Sequence, residues 1–338
     1  MALPYDRHDA RDWARGRLRG VSYTLIASYT SDLRDINEAA IRHDVRLEIE
    51  QGFMGFLAAS ETAMTPDEYV RFVEVAADEA RERALVVHHA SFNTLDENIE
   101  MARRAASAGA ELALLAYPPG FYPKSQSDIY DYTRRFCDEV DIAVMLFPVP
   151  LWGFERLHPA SLSIEIMEQL VDDCPNIVAI KAEGGHPGLG GFVETWQRLS
   201  ERVVVSEPLE WVAMPLAMLV PLQFSGTSNQ EYYGSTVPRI FEHIQNNEHS
   251  EAMALYWMMD PARRANGKIG AFGGTNMVHR TAWKYQAWLN GYNGGPIRMP
   301  AARLLYDQMA MLRNGLTASG LPVTDAPDEA FFIGRNPA

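Results

Sequence analysis

The strongest constraint on the fold of this chain is a repeated alternation between short apolar runs and longer amphipathic stretches. The eight runs are 21–27, 52–58, 84–88, 112–117, 143–147, 177–181, 203–206 and 222–226. Each run is too short for a core helix and is typical of a strand buried on both faces. A helical pattern follows each run, so the segment from Val21 to about Gln245 predicts a (β/α)8 TIM barrel, an α/β fold.

The rest of the chain predicts a C-terminal helical extension. We expect the barrel at 20–245, a helical bundle packed on it at 246–321, and terminal extensions at 1–19 and 322–338. Helical patterns cover 250–265, 282–290 and 301–315, and the Gly/Asn-rich stretch 266–276 indicates a connection. A doubly wound open sheet is the competing fold, but residues 27–30 lack the glycine-rich turn that such a sheet needs after its first strand.

Charge and composition exclude several function classes. A net charge of −14 disfavours a nucleic-acid or anionic membrane partner, because both require clustered cations. No apolar run reaches the roughly 18–20 residues of a membrane span. Residues 1–19 contain no apolar signal-peptide core, and Cys137 and Cys174 form no disulfide framework. We therefore expect a cytoplasmic protein that acts on a small molecule.

Lysine usage singles out one side chain. The chain has only four lysines, Lys124, Lys181, Lys268 and Lys284, and Lys181 ends the sixth apolar run. The active site of a barrel lies at the C-terminal ends of its strands. A partly desolvated amine there can attack a ketone and form a Schiff base without a metal or organic cofactor. The competing interpretation is a lysine that reaches from a strand end to solvent.

Five segments carry a known pattern in a fixed order: 58–61 with 65–68, 118–123, 145–150, 177–185 and 224–229. Together they resemble the dihydrodipicolinate synthase / N-acetylneuraminate lyase superfamily of class I Schiff-base aldolases. The likeness extends over about 20–321, and this chain looks like a divergent member. The resemblance implies that Lys181 is the Schiff-base lysine. It also implies a homo-oligomer, a tetramer or a dimer, with loops near Tyr122 close to an interface.

Three departures from the family pattern bear on the substrate. Phe147 occupies the position of the family's proton-relay tyrosine, and phenylalanine has no proton to give. Ala58 and Ala59 stand where paired threonines hold a carboxylate, which leaves Ser60 and the backbone N–H groups of that turn as donors. Trp152 falls near an arginine of the synthase branch. These changes predict a more apolar substrate end, unless Phe147 and Trp152 only pack a loop.

A different group must therefore move protons. His89, at the end of the third strand, is the first candidate because imidazole titrates near neutral pH. Strand alternation directs the adjacent His88 to the opposite face. Tyr117, at the end of the fourth strand, is the second candidate. Ser206 and Thr227, at the ends of the seventh and eighth strands, complete the predicted substrate contacts.

The predicted activity is a lyase that cleaves or forms a carbon–carbon bond through an imine on Lys181, and not an ordinary dihydrodipicolinate synthase. Dehydration through the same imine, and a non-catalytic descendant that binds a carbonyl compound, are the alternatives. A metal-dependent aldolase finds no support, because His88, His89, Glu183 and His186 have no metal-ligand spacing. The glycine-rich stretch 184–191 indicates a flexible loop or a phosphate site.

Overall fold

Eight short strands alternate with helices along the chain, as the apolar runs predict. The computed structural model describes residues 2–183, 188–273 and 276–338, and describes no side chain within 270–279. The strands are β1 (Gly20–Leu25), β2 (Gly55–Ala58), β3 (Leu85–Ala90), β4 (Leu112–Leu115), β5 (Ala143–Leu146), β6 (Ile177–Lys181), β7 (Val204–Ser206) and β8 (Phe224–Ser225).

Thirteen α-helices lie within the described residues. They are α1 (Ala10–Arg17), α2 (Glu38–Glu50), α3 (Pro66–Ala80), α4 (Leu95–Ala108), α5 (Gln126–Glu139), α6 (Ile164–Asp173), α7 (Gly188–Leu199), α8 (Glu210–Ala217), α9 (Thr236–Gln245), α10 (His249–Met258), α11 (Asp260–Gly273), α12 (Asn276–Leu289) and α13 (Tyr306–Ala318). Across the same residues, none of these helices is long and apolar enough to span a membrane.

The strands form one sheet in the order β7-β6-β5-β4-β3-β2-β1-β8. Strands β3 to β7 pair in parallel, each with the next, and β1 pairs in parallel with β8. Every residue of β2 to β8 is buried, as expected of parallel strands covered by helices on one face and filled by side chains on the other. The structure thus confirms the (β/α)8 barrel with C-terminal helices.

Helix ends follow the capping signals in the sequence. Thr65 forms a reciprocal capping box with Glu68 at the start of α3, where Pro66 occupies the first turn. The Thr94 side chain accepts a hydrogen bond from the Glu97 amide at the start of α4, and Gly109 ends that helix with φ of +118°. Glycine adopts this left-handed conformation at little cost, which fixes the point at which the chain leaves the helix.

The chain divides into two compact units, one of residues 1–22 with 85–228 and the other of residues 23–84 with 229–338. In the first unit, helix α1 lies inside the stretch 1–19, which the sequence analysis predicts to be a terminal extension. The Arg11 guanidinium donates to the carbonyls of Val171, Cys174 (3.1 Å) and Ile177 (3.0 Å). These bonds tie α1 to the region between α6 and β6.

In the second unit, two sequence predictions about the C-terminal helices are wrong. The predicted helix 250–265 is interrupted at Met259 between α10 and α11, and the predicted connection 266–276 lies mostly within α11. Glycine and asparagine weaken a helix, but packing overrides this cost here. A Cβ on Gly315 of α13 would lie 2.7 Å from the Cβ of Ala265 in α11, so the two helices meet at close range.

The second unit also buries several ionisable groups. Burial raises the pKa of Glu231 to about 8 and that of Asp44 to about 6, and it raises the pKa of Glu48 well above its usual range. The pKa of Lys284 is lowered to about 8, also by burial. Asp44 and Lys284 attract each other, which partly offsets the loss of hydration for both.

We predict that Glu231→Gln flattens the pH dependence of stability. Between about pH 5 and pH 8 the folded protein keeps the Glu231 proton that the unfolded chain has lost, so the free energy of unfolding falls as pH rises. This contribution is up to about 1.4 kcal/mol per pH unit. Urea denaturation from pH 5 to 8 should show a shallower slope in Glu231→Gln and the wild-type slope in the exposed control Glu242→Gln. An unchanged slope in Glu231→Gln would contradict the assignment.

Candidate active site

Lys181 is buried at the C-terminal end of β6. Its side chain is only 6% exposed, and its Nζ lies 3.4 Å from Oε2 of Glu183. The Nζ also lies 3.9 Å from the centre of the Phe147 ring, over the ring face. An amine with this burial, one carboxylate and one aromatic face can act as a nucleophile and hand its proton to a neighbouring base.

The Phe147 ring packs against Trp152. Phe147 follows β5 and is buried, and the Trp152 indole donates from Nε1 to the Phe147 carbonyl at 2.7 Å. The two rings meet edge to face, with centroids 5.3 Å apart and planes at 88°. Trp152 lies in a tight turn that Gly153 ends with φ of +71°. The two aromatic residues that the sequence singled out are therefore in direct contact, and one of them faces the lysine nitrogen.

The ends of β7 and β8 are connected by hydrogen bonds from two buried serine hydroxyl groups. Ser206 is paired with Lys181 in the sheet register, and its hydroxyl donates to the Gly226 carbonyl at 2.8 Å. The Ser225 hydroxyl donates to the Glu207 carbonyl at 3.0 Å. Thr227 is buried, and its Oγ1 has no hydrogen-bond partner within the part of the chain that the structure describes.

The two adjacent histidines lie on opposite faces of β3. His89 pairs in register with Leu114 of β4, and His88 pairs with Ala113. Successive side chains of a strand point to opposite faces, so only one of the two imidazoles faces the barrel interior. Burial lowers the pKa of His88 to about 3, which keeps that imidazole neutral. The His88 ring stacks on Phe92, with centroids 6.2 Å apart.

The Tyr117 hydroxyl is hydrogen-bonded to a threonine of α5. It lies 2.7 Å from Oγ1 of Thr133, and the Thr133 hydroxyl donates to the Ile129 carbonyl inside α5. Tyr117 therefore donates to Thr133. Its ring packs edge-on against Trp152 and Phe154, and burial raises the pKa of the phenol. This arrangement anchors the aromatic cluster to α5.

The remaining predicted contacts, Ala59 and Ser60, belong to the second unit and follow β2. The Ala59 amide donates to the Leu25 carbonyl at 3.1 Å, so its N–H is engaged within the sheet. The next residue, Glu61, forms an ion pair with Arg280 of α12. The Arg280 side chain is 14% exposed, and its Nε is buried without a hydrogen-bond partner among the described residues. This turn therefore carries a cation that the sequence analysis did not single out.

The sequence analysis assigned no proton-transfer role to two carboxyl groups that follow β6 and β7. Glu183 was considered only as a metal ligand, although its position two residues after the lysine is a local signal. Glu207 is fully buried after β7, and its Oε1 accepts from the Leu209 amide at 3.0 Å. Residues 184–187, which include His186, lie outside the described residues. Within the described ranges, no group of three or more His, Cys, Asp or Glu residues is arranged to hold a metal ion.

Comparisons with known proteins identify the family of this chain. The family model described as the dihydrodipicolinate synthetase family matches residues 17–255. An uncharacterized DapA-like lyase of Pyrobaculum islandicum is 25% identical over 290 residues, which cover 84% of this chain and 92% of that protein. A 4-hydroxy-tetrahydrodipicolinate synthase of Brucella abortus is 32% identical over 153 residues, 44% of this chain and 50% of that protein.

Solved structures share the fold. Dihydrodipicolinate synthase from Aquifex aeolicus is similar with a TM-score of 0.76 and 19% identity, over 91% of this chain and 100% of that one. N-acetylneuraminate lyase from Fusobacterium nucleatum complexed with pyruvate is similar with a TM-score of 0.75 and 18% identity, over 89% and 97% of the two chains. The matched family model extends over more than two thirds of the sequence and confirms the resemblance. The chain belongs to the dihydrodipicolinate synthetase family and is a lyase of the class I aldolase type.

Proposed function

We propose that this lyase forms a Schiff base between Lys181 and the carbonyl carbon of a ketone or 2-oxo acid, and then breaks or forms the adjacent carbon–carbon bond. One observation supports this most strongly. The Lys181 nitrogen is withdrawn from solvent at a strand end and lies 3.4 Å from a carboxylate. The aromatic lining formed by Phe147 and Trp152 favours substrates with an apolar group near the carbonyl.

The proposed reaction begins with proton transfer from Lys181 to Glu183. The free amine attacks the carbonyl carbon and gives a carbinolamine, and the hydroxyl then leaves as water after it takes a proton. The protonated imine that results accepts the electron pair of the adjacent carbon–carbon bond as that bond breaks. In the direction of synthesis, loss of a proton from the carbon next to the imine gives an enamine, which attacks a second carbonyl.

Glu183 is the group we propose to carry these protons. Phe147 has no exchangeable proton, and the Tyr117 hydroxyl is committed to Thr133. The Glu183 side chain is 27% exposed, so it can exchange protons with water and still contact the Lys181 nitrogen. His89, at the C-terminal end of β3, is the second candidate. The Thr227 hydroxyl is the proposed contact for a substrate oxygen.

We predict that sodium borohydride with pyruvate labels Lys181. Reduction of the imine should fix the three-carbon unit on this side chain, as detected by peptide mass mapping. Lys284 is the internal control, because its buried Nζ donates to the carbonyls of Ile26 and Ala27 and to the Ser28 hydroxyl. Lys181→Met should lose the label. A label on Lys124, Lys268 or Lys284, or no label with pyruvate and a panel of other aliphatic and aromatic 2-oxo acids, would contradict the proposal.

We predict that Glu183→Gln slows proton exchange in the bound substrate. The readout is deuterium uptake at the methyl group of pyruvate in D2O, measured by NMR, because this uptake requires reversible enamine formation. A loss of about 100-fold is expected when the general base is removed. Borohydride should still label Lys181, and Glu183→Asp should recover part of the rate.

The exposed Glu155 is the matched control, since Glu155→Gln should leave deuterium uptake unchanged. An unchanged rate in Glu183→Gln would reject this carboxylate as the base. If His89→Asn alone abolished uptake, the proton transfer would belong to the histidine.

We predict that Tyr117→Phe affects stability and not catalysis. Loss of the buried hydrogen bond to Thr133 should lower the free energy of unfolding by about 1 kcal/mol, as measured by urea denaturation. Tyr306→Phe is the control with an exposed side chain and should leave stability unchanged. If Tyr117→Phe instead slowed deuterium uptake and kept full stability, the phenol would be part of the proton path.

A further inference from the structure

The face of the Phe147 ring lies against the nitrogen at which we propose the reaction occurs. The distance from the Lys181 Nζ to the ring centre is 3.9 Å, well inside the range in which an aromatic face attracts a cation. Both side chains are buried, with Phe147 6% exposed. Because water competes little in such a place, the electrostatic attraction between ring and cation is stronger than on a surface.

The ring cannot easily turn away from the nitrogen. The Trp152 indole meets it edge to face at 88°, and the same indole holds the Phe147 backbone carbonyl through a 2.7 Å hydrogen bond. Trp152 is itself packed edge-on against Tyr117, with centroids 5.7 Å apart. An aromatic face fixed in advance near a developing charge requires little reorganisation during the reaction.

We propose that Phe147 is a catalytic residue whose ring face stabilises the protonated imine on Lys181. This inference rests on the proposed Schiff-base function. When the imine forms, the nitrogen gains a bond to the substrate carbon and the substrate oxygen leaves as water. The proton that stays on nitrogen keeps the positive charge over the ring. The attraction persists from ammonium to iminium and is lost when the imine is deprotonated.

This role explains how an aromatic residue without a hydroxyl serves a site that resembles those with a tyrosine. The ring neither gives nor takes a proton, so it favours the cationic imine, which is the electron sink, over the neutral imine. The proton transfers are then carried out by Glu183, whose carboxylate lies 3.4 Å from the Lys181 nitrogen. Charge stabilisation and proton transfer are thereby assigned to two different side chains.

Fluorinated phenylalanines test the proposal. Incorporation of 4-fluoro-, 3,5-difluoro- and 3,4,5-trifluorophenylalanine at position 147 withdraws electron density from the ring face with little change in size. The measured quantity is the rate of pyruvate-dependent borohydride labelling of Lys181 across a pH series, because borohydride reduces the protonated imine and the neutral imine carries no charge over the ring. We expect the loss of labelling at alkaline pH to begin at a lower pH with each added fluorine, by about 0.5 to 1.5 pH units over the series. Cyclohexylalanine, which keeps the bulk without the aromatic face, should give the largest shift.

The same series at Phe136, which is buried in α5, is the matched control and should leave the labelling rate unchanged. A flat series at position 147, with Lys181 still labelled, would overturn the role of the ring and leave the Schiff-base function standing. Absence of any label on Lys181 in the unsubstituted protein would overturn the proposed function, and this inference with it.

Discussion

Withdrawal of one lysine nitrogen from water is the constraint on which the chemistry of this protein depends. A buried cation is costly unless nearby groups compensate for its lost hydration. At the end of β6, Glu183 offers a carboxylate and Phe147 an aromatic face to the Lys181 nitrogen. Both groups favour a positive charge at this atom. The surroundings of Lys181 therefore suit a nitrogen that is cationic before the reaction and again after it has joined the substrate.

The barrel brings the lysine and the aromatic ring together although they are far apart in the sequence. Lys181 and Phe147 come from β6 and from the segment after β5, and a parallel sheet brings the C-terminal ends of neighbouring strands to one edge. The supporting groups come from the loop after β5 and from α5. Trp152 holds the ring, and the chain from Tyr117 through Thr133 to Ile129 fixes the aromatic cluster to its helix. The aromatic residues thus hold the Phe147 ring in place for its contact with the Lys181 nitrogen.

Much of the fold could be predicted because buried parallel strands are uninterrupted apolar runs. Each of the eight runs contains most or all of one strand, and the strand 177–181 has the predicted limits. The sequence patterns failed to predict helices where tertiary interactions outweigh local helix propensity. Helix α11 includes residues of the glycine- and asparagine-rich stretch because α13 packs closely against it at Gly315. Helix α1 has a polar sequence and is held by hydrogen bonds from Arg11 to carbonyl groups, which no apolar pattern reveals.

The site was less predictable than the fold for a similar reason. The position of Lys181 at a strand end follows from the pattern of apolar residues. The contact with Glu183 depends on how a flexible side chain folds back, which residue spacing does not determine. Phe147 was interpreted as the loss of a tyrosine, whereas its ring has a contact of its own with the nitrogen. Tyr117 has the right residue type and strand position, but its hydroxyl is bonded to Thr133.

A crystal structure of the protein soaked with pyruvate would be the decisive measurement. We predict continuous electron density from the Lys181 nitrogen to carbon 2 of the three-carbon unit, with the nitrogen still within about 6 Å of the centre of the Phe147 ring. A lysine side chain turned into bulk solvent, or pyruvate bound without a covalent link to that nitrogen, would contradict the proposed chemistry.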